Sequence, residues 1–169
     1  RKHYDRLHLH TVKEHSGLPH RPFPSHVPRY PSRLHVLAYL EDYARHFELE
    51  PRVGHEVTGC EYQAGRWHTT ANGTRFRSKH VVVATGYNHE PIEPTWPGQE
   101  TFGGGIEHAR SYRNGELLEG KKLLVVGAGN TGAEIALDAF EYGAEVWMAV
   151  RSPIWVTRRE VLGIPAQLN

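Results

Sequence analysis

The chain has 169 residues, 38% of them hydrophobic, and a formal net charge of +1 at pH 7. This near-neutral balance gives no electrostatic case for binding nucleic acid or an anionic membrane. No apolar stretch approaches the roughly 20 residues that a membrane span needs. The single cysteine, Cys60, excludes a disulfide framework or a Cys-x-x-Cys redox pair within the chain, so we expect a cytoplasmic setting and a buried, inert thiol.

Histidine and proline are frequent in the first 31 residues, which show little periodicity. Residues 7–10 alternate apolar and polar side chains, which indicates a short strand. His8 and His10 could be half of a metal site, but no carboxylate or cysteine stands at a companion spacing, so we expect no metal. The prolines that follow predict an extended loop, which could cover a ligand or serve as a connector.

One amphipathic helix is predicted over residues 32–47, with Ser32 as its N-cap. Its apolar positions recur at helical spacing, with Val36, Tyr39 and Tyr43 beside the main stripe. A stripe of this kind is typical of core packing rather than of a binding surface. The predicted stripe consists of Leu34, Leu37, Leu40, Ala44 and Phe47.

Residues 48–84 carry the signals of β structure. Three strands are predicted, at 53–62, at 67–70 and near Phe76. Gly65 and the pair Asn72-Gly73 supply the turns between them, and the pair is a strong hairpin signal.

The apolar run 79–84 predicts a further strand, buried on both faces. It ends in Thr85 and Gly86, where small residues suit the close approach of a cofactor to the backbone. Prolines at 91, 94 and 97, with Gly98, then indicate a linker.

The most informative stretch is residues 121–151, which reads as strand, glycine turn, helix and strand. The first strand leads into Gly127-x-Gly129-x-x-Gly132, the spacing of a dinucleotide-binding loop. In such a loop the first glycine permits a tight turn, the second lets a pyrophosphate approach the backbone, and the third lets the helix pack on the strand. The helix would direct its free N–H groups and positive dipole end at the phosphates.

The helix of this unit has signals at both ends. Thr131 and Glu134 stand at the spacing of a capping box, and Gly143 stands where a left-handed residue ends a helix. One apolar face is predicted, and it consists of Ala133, Ala136, Leu137 and Phe140.

The second strand of the unit ends at Arg151, followed by Ser152. An NAD site would have a carboxylate there to bind the ribose 2′-hydroxyl. A cation and a hydroxyl instead suit a 2′-phosphate, so the sequence favours NADP(H). The alternative is that Arg151 is an ordinary solvated charge. Arg158 and Arg159 further along could assist a phosphate or could likewise be solvated.

A longer pattern connects these elements, Phe102-x-Gly104-x-x-x-His108-x-x-x-Tyr112-Arg113. It resembles the signature of the flavin-containing monooxygenase family, which belongs to the class B flavoprotein monooxygenases. Residues 84–87, the glycine loop and residues 150–152 resemble further motifs of that family. The segment from Phe23 to Ala44 is similar to the branch that holds the plant YUCCA-type enzymes and bacterial flavoproteins.

The resemblance implies an α/β fold of the FAD/NAD(P)-binding, Rossmann-like type, with two dinucleotide-binding domains that are both incomplete here. The implied division is a partial FAD-binding domain at 1–90, a linker with the signature at 91–120, and a partial NADP-binding domain at 121–169. The family's first glycine loop, for the FAD pyrophosphate, is not found in this chain. We therefore expect an internal fragment that is inactive and holds FAD poorly alone, with such a loop encoded upstream.

The resemblance also implies an FAD- and NADPH-dependent monooxygenase that forms a flavin C4a-(hydro)peroxide and oxygenates a small organic substrate with O2. It places His108 at the junction of the two cofactor domains as the candidate catalytic residue, with a structural histidine that satisfies backbone groups as the alternative. It also puts His10 where many members have an asparagine near the flavin. The implied cofactor contacts are Val57, Thr85 and Gly86 for FAD, and Gly127, Gly129, Asn130, Thr131, Gly132, Arg151 and Ser152 for NADP(H).

Two other functions remain open from the residues. A flavin-dependent disulfide reductase would share the architecture, although the chain has no cysteine pair. A non-catalytic NADP-binding module is the other alternative. No nucleic-acid partner and no membrane span are expected with any of the three functions.

Overall fold

The computed structural model describes residues 3–86 and 90–166, whose contacts divide the chain into two units. One unit joins Arg1–Tyr43 to Pro91–Asn169, and the other is Ala44–Glu90. The helices are α1 (Lys13–Ser16), α2 (Arg33–His46) and α3 (Asn130–Glu141), with 3₁₀ segments at Gln99–Thr101 and Gly115–Leu118. The strands are β1 (Val57–Gln63), β2 (Arg66–Ala71), β3 (Thr74–Ser78), β4 (Lys122–Val126), β5 (Glu145–Ala149), β6 (Glu160–Val161) and β7 (Ile164–Pro165). The predicted division at residues 90 and 120 stays a prediction.

The unit Ala44–Glu90 is an antiparallel meander in the order β1-β2-β3. The predicted strands are confirmed, although the first begins at Val57 and not at residue 53. Asn72 and Gly73 form the predicted hairpin turn, with φ of 46° and 76°, the positive values that a two-residue turn needs. Cys60 lies in β1 as predicted, but the prediction of a buried thiol is wrong, because every residue of β1 is exposed.

The buried strand predicted over residues 79–84 is wrong. The structure assigns no strand there, and the side chains of Val82 and Val83 are 86% and 81% exposed. A parallel strand exists only through pairing with its neighbours. Within the described residues, none of the sheets pairs with this run, so its apolar side chains stay uncovered.

A small core forms around Tyr39 of α2, and the predicted leucine stripe is not part of it. The ring of Phe23 stacks on Tyr39 with centroids 3.9 Å apart, and Val27 completes the buried cluster. The Tyr39 hydroxyl donates to the Arg21 carbonyl at 2.6 Å and accepts from the Leu18 amide at 2.7 Å. A buried tyrosine can therefore form hydrogen bonds with the polar groups of the loop backbone, which a leucine could not form. The leucines at 34, 37 and 40 stay 45–66% exposed.

The proline-rich loop packs against α2 through Phe23 and Val27, and its backbone is also bonded to α1. The Lys13 ammonium donates to the carbonyls of Ser25 and Val27, at 2.7 and 2.6 Å. The alternating residues 7–10 form only an isolated antiparallel bridge, between His8 and Ser32. Ser32 Oγ accepts weakly from the His35 amide at 3.4 Å, which agrees with its predicted place before the helix. The loop is therefore part of a core and not a free connector.

The predicted βαβ unit is confirmed. Strand β4 pairs in parallel with β5, and α3 connects them. The helix ends as predicted at Gly143, whose φ is 87°; its amide donates to Phe140, and the Ala144 amide donates to Ala139. These two bonds satisfy two of the carbonyls that the end of the helix leaves free.

The predicted apolar face of α3 is largely wrong. Its buried apolar residues are Ile135, Ala136 and Ala139, and the first two form a cluster with residues of β4 and β5. Leu137 and Phe140 are 47% and 66% exposed. Small side chains let the helix lie close to the sheet, so the face toward β4 and β5 consists mainly of small residues rather than of the largest ones.

Candidate dinucleotide-binding site

The glycine loop lies between the carboxyl end of β4 and the start of α3. Gly127 has a φ of 100°, a backbone conformation that side chains other than glycine rarely adopt. Its amide donates to the Ala149 carbonyl at 2.8 Å, which joins the loop to the end of β5. The turn is therefore fixed to both strands of the parallel pair.

Gly132 and Gly129 meet the two spatial demands of a dinucleotide loop. A Cβ at Gly132 would lie 2.2 Å from the Gly127 carbonyl oxygen and 3.5 Å from Val125, so only a hydrogen fits. A Cβ at Gly129 would meet nothing within 4 Å. One glycine thus permits the close packing of the helix, and the other leaves open space where a pyrophosphate could approach the backbone. These residues fit the cofactor that the sequence implies.

The amino end of α3 lacks the predicted capping box. The N-cap is Gly129, which has no side chain to accept a hydrogen bond from the first turn. Thr131 instead faces the Tyr4 hydroxyl from the start of the chain, and its side chain lowers the pKa of Tyr4 against the larger effect of burial. Backbone donors of the first turn thus have no side-chain cap, which is the arrangement used for phosphate binding at a helix start.

Arg151 and Ser152 follow β5 at the same edge of the sheet as the glycine loop. Val126 at the end of β4 pairs with Ala149 at the end of β5, so both chains leave the sheet side by side. Arg151 and Ser152 are exposed. The placement permits contact with the adenosine ribose of a dinucleotide bound at the loop, and the assignment to a 2′-phosphate stays a prediction.

A row of acidic side chains runs along α3 beyond the loop. Glu134, Asp138 and Glu141 stand at helical spacing, and the segment near the start of the chain places basic side chains beside them. The guanidinium of Arg6 contacts Glu141 and lies 3.6 Å from Asp138, while His10 Nε2 lies 3.3 Å from Glu134. These contacts hold the N-terminal segment along the helix.

Asp138 is the buried member of this row, at 6% exposure. It accepts hydrogen bonds from the Tyr112 hydroxyl at 2.6 Å and from the Gly115 amide at 2.9 Å, both on Oδ2. Burial of the Tyr112 phenol and its bond to this carboxylate raise the pKa of Tyr112. Burial likewise raises the pKa of Tyr4, with a contribution from the nearby Glu134 charge. The signature tail is thereby joined to the middle of the cofactor helix.

The remaining predicted site residues lie elsewhere. His108 is half-buried and opens a tight turn, in which its Nδ1 accepts from the Arg110 amide at 3.1 Å. Val57, Thr85 and Gly86 belong to the unit Ala44–Glu90, and all three are exposed. The predicted roles of these four residues stay predictions.

The sequence did not predict the contacts that Tyr4, Arg6 and Asp138 make in the site. A signal existed for Asp138, because a lone carboxylate among Ala136, Leu137 and Ala139 indicates a buried and hydrogen-bonded acid. The sequence carries no signal for the contacts of Tyr4 and Arg6, because their partners lie more than 100 residues away. No group of three or more metal-binding side chains is placed to hold an ion in residues 3–86 and 90–166. In those same ranges each helix is too short or too polar to cross a bilayer.

Known proteins resemble this chain over nearly its whole length. Residues 10–163 match the profile of a family described as pyridine nucleotide-disulphide oxidoreductase. The probable indole-3-pyruvate monooxygenase YUCCA1 of Arabidopsis thaliana is 44% identical, over 96% of this chain and 40% of that protein. The indole-3-pyruvate monooxygenase YUCCA4 of Oryza sativa subsp. japonica is 42% identical, over 95% of this chain and 40% of that protein.

A solved structure agrees with these relatives. The flavin-containing monooxygenase from Stenotrophomonas maltophilia superposes with a TM-score of 0.85 and 25% identity, covering 99% of this chain and 50% of that one. The chain therefore spans about two fifths of the length of the curated relatives it matches and half of this solved chain.

Proposed function

The chain belongs to the pyridine nucleotide-disulphide oxidoreductase family, and we propose that it is part of an FAD- and NADPH-dependent monooxygenase. The observation that carries the proposal is the glycine loop, where Gly132 has room only for a hydrogen and Gly129 faces open space. The 44% identity to a protein named as a monooxygenase supports the choice of reaction.

Each part of the site has a role in this proposal. The loop and the first turn of α3, with Asn130 and Thr131, bind the NADP(H) pyrophosphate through backbone N–H groups. Arg151 and Ser152 bind the 2′-phosphate, because a guanidinium and a hydroxyl are matched donors for its oxygens. Val57, Thr85 and Gly86 contact FAD, and His108 lies where the two cofactor domains meet.

Bound FAD would supply the redox chemistry, taking a hydride from NADPH and using O2 to oxygenate a substrate. The chain's own residues bind and orient the nicotinamide dinucleotide and hold the signature segment beside it. The small-molecule substrate and O2 are the proposed partners, and the cytoplasm is the proposed location. Indole-3-pyruvate, the compound in the names of the plant relatives, is the first substrate to test.

A disulfide reductase is the rival within the same family. This chain has one cysteine, on an exposed strand, so a redox-active cysteine pair would have to come from the parts of the relatives' length that the chain does not span. The named monooxygenase relatives favour oxygenation over disulfide reduction.

The test is the reaction of the FAD-loaded full-length protein that contains this chain (the holoenzyme) with NADPH under isotopically labelled O2. We expect NADPH oxidation that depends on O2 and one labelled oxygen atom in the product. Indole-3-pyruvate and a simple disulfide would be compared as substrates. Reduction of the disulfide without O2 consumption would refute the proposal in favour of the reductase.

A further inference from the structure

Asp138 is a charged side chain in a place where charge is costly. It lies in α3, about two helical turns after Gly132, and it is 6% exposed. A buried carboxylate is stable only where hydrogen bonds replace the water it has lost. The groups that hydrogen-bond to Asp138 therefore belong to the segments that must lie against α3.

The partners come from the signature tail and from the start of the chain. Oδ2 accepts from the Tyr112 hydroxyl at 2.6 Å and from the Gly115 amide at 2.9 Å, and Oδ1 lies 3.6 Å from the Arg6 guanidinium. Both lone-pair regions of the carboxylate thus face donors. The Tyr4 ring also packs edge-on against Tyr112, with centroids 6.4 Å apart.

The segment held by these bonds has little freedom of its own. The amide and hydroxyl of Ser111 donate to the His108 carbonyl, at 3.0 and 2.7 Å, so residues 108–111 form a closed turn next to Tyr112. At the other end, a Cβ on Gly115 would lie 2.7 Å from the Tyr142 ring. The turn with His108 is therefore joined to α3 through the two bonds of Asp138, while Arg113 in the same segment accepts from the Asp5 amide at 2.8 Å.

We propose that Asp138 is a positioning residue that fixes residues 108–115 on the dinucleotide-binding helix and so keeps His108 in place when the dinucleotide binds at the amino end of α3. The role of His108 in this inference rests on the proposed function. The fixing of the segment by Asp138 rests on the hydrogen bonds alone.

The experiment compares the FAD-loaded holoenzyme with its Asp138→Ala, Asp138→Asn and Tyr112→Phe variants. Asp138→Asn keeps the shape and one acceptor oxygen, so it remains informative where Asp138→Ala fails to fold. Glu145→Gln is the matched control, because this exposed carboxylate at the start of β5 forms a surface ion pair with Lys122, at 3.9 Å. Hydrogen exchange of residues 108–118 is measured together with NADPH-driven flavin reduction and the Kd of NADP+.

We expect exchange in residues 108–118 to be about 10-fold faster in Asp138→Ala and Tyr112→Phe, because the local opening that exposes these amides becomes easier. Flavin reduction should fall about 10-fold, since misplacement of a positioned group slows the reaction. The Kd of NADP+ should stay within about threefold, because the glycine loop is intact. Asp138→Asn should lie between wild type and Asp138→Ala.

Unchanged exchange in residues 108–118 would overturn the inference. A parallel loss of reduction rate, NADP+ affinity and global stability would also overturn it, because that pattern marks a merely structural acid. If the wild-type holoenzyme does not oxidise NADPH, the proposed function fails. The exchange measurement then still decides whether Asp138 fixes the segment.

Discussion

Gly132 and Gly129 lie three residues apart in one loop, yet an added methyl group would meet different surroundings at each. At Gly132 it would overlap the Gly127 carbonyl, which is backbone and cannot rotate away. At Gly129 it would project into space that the protein leaves empty. Gly132 is therefore needed for the packing of α3 on β4, whereas Gly129 is needed for the approach of a ligand.

Gly132→Ala should destabilise the protein by about 1–3 kcal/mol, because the helix must move away from the strand. Gly129→Ala should change the free energy of unfolding by less than about 0.5 kcal/mol. It should still weaken the binding of NADP+, because the methyl group occupies the path of the pyrophosphate. Denaturant unfolding and calorimetric titration with NADP+ measure the two effects. Normal NADP+ affinity in Gly129→Ala would contradict the placement of the pyrophosphate.

Arg151 is the residue on which the choice of nicotinamide cofactor depends. Arg151→Ala should raise the Kd of NADPH by about 10- to 100-fold, because hydrogen bonds to a charged phosphate are lost. The Kd of NADH should change little, since NADH lacks that phosphate. Arg77→Ala on β3 removes an exposed arginine of the other unit and serves as the control. If the binding of NADPH and of NADH weakened equally, Arg151 could not be assigned to the 2′-phosphate.

At the scale of elements, the two ends of α3 differ in how their free backbone groups are satisfied. The amino end has no side-chain cap, which leaves donors for a ligand, whereas Gly143 closes the carboxyl end. The cofactor helix is thus fixed at one end and open at the other. The acidic row between the ends joins it to the N-terminal segment.

Gly143→Ala tests the closed end. An alanine at a φ of 87° is strained, so the free energy of unfolding should fall by about 1–2 kcal/mol. Gly59→Ala in β1 is the matched control, because its added Cβ meets nothing within 4 Å and its φ is not positive. Unfolding in denaturant measures both variants. An equal response of the two would argue against a strained left-handed position at Gly143.

The bond between Tyr112 and Asp138 gives a pH-dependent contribution to stability. The folded state raises the pKa of Tyr112, so it binds that proton more tightly than the unfolded state does. The stabilisation is fully present below the ordinary tyrosine pKa of about 10 and is lost as the pH rises above it. Tyr112→Phe should therefore reduce the dependence of unfolding free energy on pH in the alkaline range. Identical alkaline slopes for wild type and Tyr112→Phe would refute this linkage.

At the scale of the whole molecule, the two units differ in how much they bury. The unit with the βαβ fold contains two clusters of buried apolar side chains. Among the described residues of Ala44–Glu90, only Ala71 is a buried hydrophobic residue. A three-stranded meander without a covered face has little to stabilise it beyond its ladder.

Hydrogen exchange should show this difference. Backbone amides of β1, β2 and β3 are expected to exchange about 100-fold or more faster than those of β4 and α3, because local opening costs less where few apolar contacts break. Mass spectrometry of peptides from the two regions of the same protein measures it, and each region is the other's internal control. Equal protection of both regions would show that the meander is covered in solution.

Much of the fold could be predicted because the patterns concerned are local. The βαβ unit, the closure at Gly143 and the hairpin at Asn72-Gly73 depend on residues that contact each other within a few positions. Glycine spacing likewise identified the loop of the candidate site. The contacts of Asp138 and Arg6 could not be predicted, because their partners are far away in the sequence.

By itself, the sequence determined which local conformations form and where a dinucleotide loop lies, since backbone sterics at glycine and the period of apolar residues act over short distances. Only the tertiary structure decided which faces are buried. It selected Tyr39 over the leucines of α2, and small residues over Phe140 in α3, because burial depends on what packs against a face. It left residues 79–84 without a strand, because a strand requires a partner that lies elsewhere in space.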